Sequence, residues 1–179
     1  MQALLSLSAG IDALSKKFGQ LADYMVLFCA LISAGNAIVR YLFSMSSNGW
    51  LEIQWYMFAI IVLMGASYTL KTNEHVRVDI FYGSISDRAR LWVDLFGIVF
   101  FLLPITVYFT WLCWPFFHES WLNGEQSLNA GGLIRWPVKL LLVAGFGLLT
   151  LQGVSELIKR LAAIAGIVKI DTTYEKPLQ

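Results

Sequence analysis

The chain reads as an all-α integral membrane protein, with four transmembrane helices in antiparallel up-down order and an amphipathic interfacial helix at its N-terminus. Composition is the first reason. Of 179 residues, 58% are hydrophobic and 14% charged, with a mean hydropathy of +0.65. A soluble domain is typically about 45–50% apolar, so the surplus apolar surface must face lipid. Patterning is the second reason: from Ile53 to Leu70 there is no charge, and a helix of about 18 residues rises roughly 27 Å, close to the thickness of a bilayer's hydrocarbon layer. Just beyond that stretch Lys71, Glu74, His75, Arg77 and Asp79 arrive almost together, which marks the end of a crossing.

Residues 1–20 place Leu4, Leu7, Ile11, Leu14 and Phe18, followed by Leu21, at spacings of three or four, against Ser8, Asp12, Ser15 and Lys16. That period is an amphipathic helix. A cleaved signal peptide carries its positive charge before the apolar core, whereas Lys16 and Lys17 follow it here, so the segment is expected to be retained. It lies either along the inner membrane surface or against the protein's own loops.

The first crossing is expected over 21–43. Asn36 interrupts it, Arg40 follows four residues later on the same helical face, and Ala30, Ser33, Ala34 and Ala37 are small enough to let another helix approach. A short turn-rich link then requires the second crossing, 50–70, to return beside the first. Glu52 opens that crossing and Gly65 lies late in it. Arg40 and Glu52 either pair at similar depth, because unpaired charges there are costly, or Arg40 reaches the headgroups and Glu52 is wet.

A loop is expected over 71–90, the third crossing over 91–114 with a kink at Pro104, and a second loop over 115–134. Trp111, Trp114 and Trp121 near that loop suit a headgroup interface. The fourth crossing is expected over 136–157, with Pro137 in its first turn and Gly145, Gly147, Gln152 and Gly153 as small or polar positions. The tail is 158–179. Ten lysines and arginines fall on the side that holds both termini and the loop 71–90, against three on the other, so the termini are expected to be cytoplasmic.

Several chemistries find no support in this pattern. A net charge of +1 builds no basic face for nucleic acid. The two histidines, His75 and His118, fall on opposite sides of the bilayer and do not pair around a haem. Cys29 and Cys113 lie in apolar spans, where cysteine behaves as a small hydrophobe. No metal-ligand spacing, phosphate loop or nucleophile elbow occurs, so no catalytic residue, cofactor or metal is expected. A substrate path would show broken helices, repeats or several mid-depth ionisable groups, whereas here only Asn36 and Gln152 lie deep. The expected role is support of another membrane protein.

Asn36 with Arg40, Tyr41 and Phe43, then Glu52, Gly65 and Ala66, then the run His75-Val76-Arg77-Val78-Asp79-Ile80, resemble the small membrane subunit, the Q-type subunit, of tripartite ATP-independent periplasmic (TRAP) transporters. The resemblance implies a non-catalytic permease subunit of a sodium-coupled secondary transporter for organic acids, of the C4-dicarboxylate or sialic acid class, in the bacterial inner membrane. It implies as partners a large membrane subunit, whose scaffold this chain would brace, a periplasmic substrate-binding protein acting mainly through the assembled complex, and membrane lipids. Asn36, Arg40, Glu52, Gly65, Arg77 and Asp79 are the candidate structural or subunit-interface residues. Arg77 and Asp79 either stabilise the turn after the second crossing or contact the large subunit. A membrane anchor for a respiratory-type enzyme complex and an independent small channel are the competing readings.

Overall fold

The computed structural model describes residues 1–45, 47–75 and 85–168, and these residues are helical without strands. Helix α1 spans Gln2–Phe43, α2 Asn48–Thr72 and α3 Asp87–Gly97; one π turn, Ile98–Leu102, joins α3 to α4, Leu103–Leu122, and α5 spans Trp136–Ile164. Four helical units are long and apolar enough to cross a membrane, with α3, the π turn and α4 counting as one of 36 residues.

Helix α1 merges two segments that the sequence suggests are separate. The change from amphipathic to continuously apolar near residue 20 marks a change of surroundings, but no proline interrupts the backbone, so the hydrogen-bond ladder runs through. The amphipathic part turns its serines inward. Ser8 and Ser15 are buried, at 2% and 1% exposure, while Leu4, Leu7, Leu14 and Leu21 are exposed. Ser8, Asp12 and Ser15 of its polar side pack on a helix, α5, and not on loops, while Lys16 stays exposed. Lipid is as apolar as leucine, so burying leucine gains little there, and helix contacts favour small and hydrogen-bonding side chains.

The seam of α1 makes this visible. Ser8, Ser15, Ala22, Cys29 and Asn36 recur at every seventh position, with Ile11, Phe18, Met25 and Ile32 between them, and all nine are buried or half-buried. A 3.5-residue repeat is the signature of left-handed helix packing. Against this seam α2 runs antiparallel: Gly19 meets Tyr68, Gly65 meets Ala22, and the Cys29 Sγ lies 3.9 Å from the Gln54 carbonyl oxygen.

Helix α2 ends on Asn73 at φ 60°, whose amide donates to the Leu70 and Thr69 carbonyls; asparagine tolerates this left-handed cap. At the expected Pro104 kink the structure has the π turn. The Leu103 amide donates to the Ile98 carbonyl five residues back, which widens the helix where a proline ring would crowd the carbonyl four residues before it. Pro115, expected in a loop, lies inside α4, which continues to Leu122. Proline is tolerated within membrane helices when the freed backbone group finds other partners.

Helix α5 is the centre of the bundle and touches α1, α2, α3, the π turn and α4. Its closest approach is to α2 at Gly145, where an added Cβ would fall 2.6 Å from the Leu63 Cβ and 3.0 Å from the Leu63 carbonyl oxygen. Gly145→Ala should therefore push two backbones apart and cost about 1–3 kcal/mol, measured as thermal unfolding in detergent. Gly147, with nothing within 4 Å of an added Cβ, supplies the control: Gly147→Ala should leave the melting temperature unchanged or raise it.

Candidate functional site

The polar side chains of the bundle gather into two ties, one at each end. At the end where α2 begins, Glu52 is only 1% exposed. Its Oε1 accepts hydrogen bonds from the Ser127 hydroxyl and the Asn129 amide at 2.9 Å, and its Oε2 accepts from the Leu133 backbone amide at 2.7 Å. The Arg135 guanidinium stands 3.5 Å away and donates to Ser127 at 3.0 Å. Asn48 donates to the Ala130 carbonyl at 3.0 Å, and the Tyr56 hydroxyl to the Ile134 carbonyl at 2.7 Å. Asn48, Glu52 and Tyr56 are spaced by four, so one face of α2 holds the whole loop.

The loop is preformed for this. The Ser127 amide donates to the Leu133 carbonyl at 2.9 Å and the Arg135 amide to the Glu125 carbonyl at 2.8 Å, around a bridge between Gln126 and Ile134. Gly131 takes φ +70°, which glycine adopts without steric cost. Lys139 on α5 bonds Glu125 and sits 3.9 Å from the centre of the Phe116 ring.

Lys139 holds the Glu125 carboxyl below its ordinary titration range. A carboxylate whose pKa is lowered by folding contributes stability above its ordinary value and loses it as pH falls through the lowered one. Protease cutting within 123–135 should therefore begin only when the pH falls below the ordinary carboxylate range. In Lys139→Gln it should begin at higher pH, within that range, as limited proteolysis across a pH series would read.

The second tie joins the N-terminal part of α1 to the last turns of α5. Gln152 is wholly buried; it accepts from the Ser15 hydroxyl at 2.7 Å and donates to Asp12 at 2.9 Å and Glu156 at 3.0 Å. The Ser155 hydroxyl donates to Asp12 at 2.7 Å. It has one proton, so Ser8, whose Oγ lies 2.7 Å from that of Ser155, is the donor in their shared bond. Lys159 pairs with Asp12 at 3.1 Å and with Glu156. Arg160 pairs with Glu156 and, at 3.1 Å, with Asp94 of α3.

Of the six candidate interface residues, Glu52 lies at the heart of a tie, and Gln152, the deep polar position of the fourth crossing, lies at the heart of the other. The cation of Glu52 is Arg135, and the pairing with Arg40 is not formed. The register of the α1–α2 hairpin explains this. With Gly19 against Tyr68 and Cys29 against Gln54, Glu52 lies opposite positions 31 to 35, which leaves Arg40 roughly 8–14 Å nearer the turn. Arg40 is exposed, Asn36 half-buried on the seam, and a Cβ added at Gly65 would fall 3.6 Å from that of Ala22, an ordinary van der Waals contact. Arg77 and Asp79 lie outside the described residues.

Sequence reasoning gave no binding role to Ser127, Asn129, Arg135, Glu156 and Arg160, and read Asp12 only as part of the polar side of the first helix. The spacing of Asn48, Glu52 and Tyr56, and that of Gln152, Glu156 and Lys159, was the available signal. Among the described residues no group of three or more histidines, cysteines, aspartates or glutamates is placed to hold a metal ion. Both ties use charge and hydrogen bonds to hold elements of the chain together.

Residues 28–163 match the family described as tripartite ATP-independent periplasmic transporters, DctQ component. The chain belongs to this family. As a DctQ component it is a small permease subunit of a TRAP transporter and a multi-pass membrane protein. The match takes in Glu52 and its whole loop, together with α5 up to Ala163; Ser8, Asp12 and Ser15, the α1 half of the second tie, precede the matched residues. No curated protein and no solved structure matches the chain.

Proposed function

We propose that this DctQ component is the non-catalytic brace of its transporter. It stands beside a large membrane subunit that carries substrate and sodium, and stiffens that subunit's scaffold while the transport domain moves. The observation that carries this reading is the use of polarity. Asp12, Glu52, Asp94, Glu125, Glu156, Arg135, Lys139, Lys159 and Arg160 all point into ties between elements of the chain itself, while the outer faces of α1 and α4 are apolar and exposed. A body fixed at both ends and greasy around its circumference suits a support, because charged groups in a membrane protein otherwise mark a pathway.

Organic acids, of the C4-dicarboxylate or sialic acid class, are the proposed cargo of the complex, captured by a soluble periplasmic protein. The proposed setting is the bacterial inner membrane with both termini cytoplasmic, as the distribution of lysine and arginine favours. Asn36 and Arg40, together with Arg77 and Asp79, are the proposed contacts with the large subunit. Asn36 and Arg40 share a face of α1 near its turn to α2, half-buried and exposed respectively. Arg40→Ala should lower the yield of large subunit copurified with the tagged chain and leave the chain's own melting temperature within a degree or two of wild type; Asn36→Ala, on the seam that faces α2, should lower the yield and also the melting temperature. Undiminished copurification with the double variant would remove these two residues from the interface.

A further inference from the structure

Between the loop and the helices lies a cavity of about 640 Å³, well within the range of ligand sites. Its wall changes character along the helix axes. At the loop end stand Glu125, Arg135 and Lys139; further along α2 and α5 the lining becomes Ala59, Leu63 and Leu142. Leu63 is eleven residues beyond Glu52 and Leu142 seven beyond Arg135, distances of roughly 16 and 10 Å along the helices. None of the lining residues is fully buried, so the cavity is reached from outside the bundle.

We propose that this cavity seats a zwitterionic phospholipid, with the phosphate at Arg135 and Lys139, the ammonium at Glu125, and an acyl chain along Leu63 and Leu142. The order of polar then apolar wall follows the order of a lipid from headgroup to tail. Both cations are already fixed, Arg135 by Glu52 and Ser127 and Lys139 by Glu125, so little side-chain entropy is lost when a phosphate arrives. Glu125 makes the choice of headgroup: its part-exposed carboxylate attracts an ammonium, and a headgroup without one leaves the phosphate charge beside that carboxylate uncompensated. Hydrocarbon is the solvent on this surface, and an acyl chain fills an open apolar cleft there without displacing water. The lipid would cement the loop to α2 and α5. This inference needs only a membrane around the chain and does not depend on its role in transport.

The test uses the full chain extracted in mild detergent, stripped of lipid, and then exposed to vesicles of phosphatidylethanolamine or of phosphatidylglycerol. Retained phospholipid is counted by extraction and mass spectrometry, and a phosphatidylethanolamine with a photoreactive acyl chain maps the site. Wild type should retain phosphatidylethanolamine over phosphatidylglycerol and crosslink near residues 59–63 and 138–142. Leu142→Trp, which fills the tail end with a bulkier ring, should exclude the acyl chain and lower retention of phosphatidylethanolamine. Val107→Trp, on an exposed face of α4, should change nothing and serves as the folding control. Equal retention by Leu142→Trp, equal retention of the two lipids, or crosslinks spread over the exposed face of α1 would overturn the proposal. So would a photoreactive residue at position 142 that captures another protein in place of lipid.

Discussion

Glu52→Ala should release the loop 123–135 from α2 and lower the melting temperature of the detergent-solubilised chain by about 10 °C, as expected when a buried ion pair loses one member in a chain of this length. The substitution leaves the Leu133 amide, the Asn129 amide and the Arg135 guanidinium facing a void where two carboxylate oxygens stood. Unmet donors of this kind cost more than the bonds themselves contributed. Protease should then cut within the loop while the helices stay whole. Glu52→Gln keeps the shape and one acceptor oxygen, but turns an amide towards the donors, so it should fall between wild type and Glu52→Ala. Asn129→Ala removes one bond of the set and should cost only about 1 kcal/mol. If Glu52→Ala and Asn129→Ala proved equal, Glu52 would not be the group that gathers the loop.

Arg160→Ala should have the second large effect, about 3–5 kcal/mol. Arg160 is buried and bridges Glu156 of its own helix to Asp94 of α3, so its loss removes this ion-paired link between two helices in contact and leaves the Glu156 carboxylate with Lys159 as its cation. Arg160→Lys restores a charge without the planar fork and should recover only part of the loss. The combination of Arg160→Met with Glu156→Gln should cost less than the sum of the single changes, because the second substitution neutralises the carboxylate that the first leaves behind. Additive losses in that cycle would mean that the two side chains do not act on one another.

The membrane fold was legible because hydropathy reports on the solvent around a helix, and here that solvent is lipid. The same property hid the ties. An amphipathic period says that two sides of a helix differ but not which side packs on protein: Leu7 stays outside, as an interfacial helix would have it, whereas Ser8 is buried against α5, because in lipid leucine is the side that can be left outside. The Glu52 partner was missed because depth was judged along the first two helices alone. Arg135 arrives from the other half of the chain, on a loop whose bends depend on Gly131 and on hydrogen bonds between Glu125, Ser127, Leu133 and Arg135. Gln152 was visible as a polar residue at depth, yet its partners, Asp12 and Ser15 on one side and Glu156 on the other, come together only when α1 lies across α5. Pro115 reads as a helix end in water and is carried inside α4 here.

Uptake of a labelled organic acid into vesicles tests the brace most directly. Vesicles would hold the large subunit and receive the soluble binding protein, with or without this chain, under a sodium gradient. Accumulation should require both membrane components and fall with Glu52→Ala in proportion to the folded chain that remains, while vesicles holding this chain by itself should accumulate nothing. Accumulation by this chain without the large subunit, or full uptake in its absence, would contradict the account.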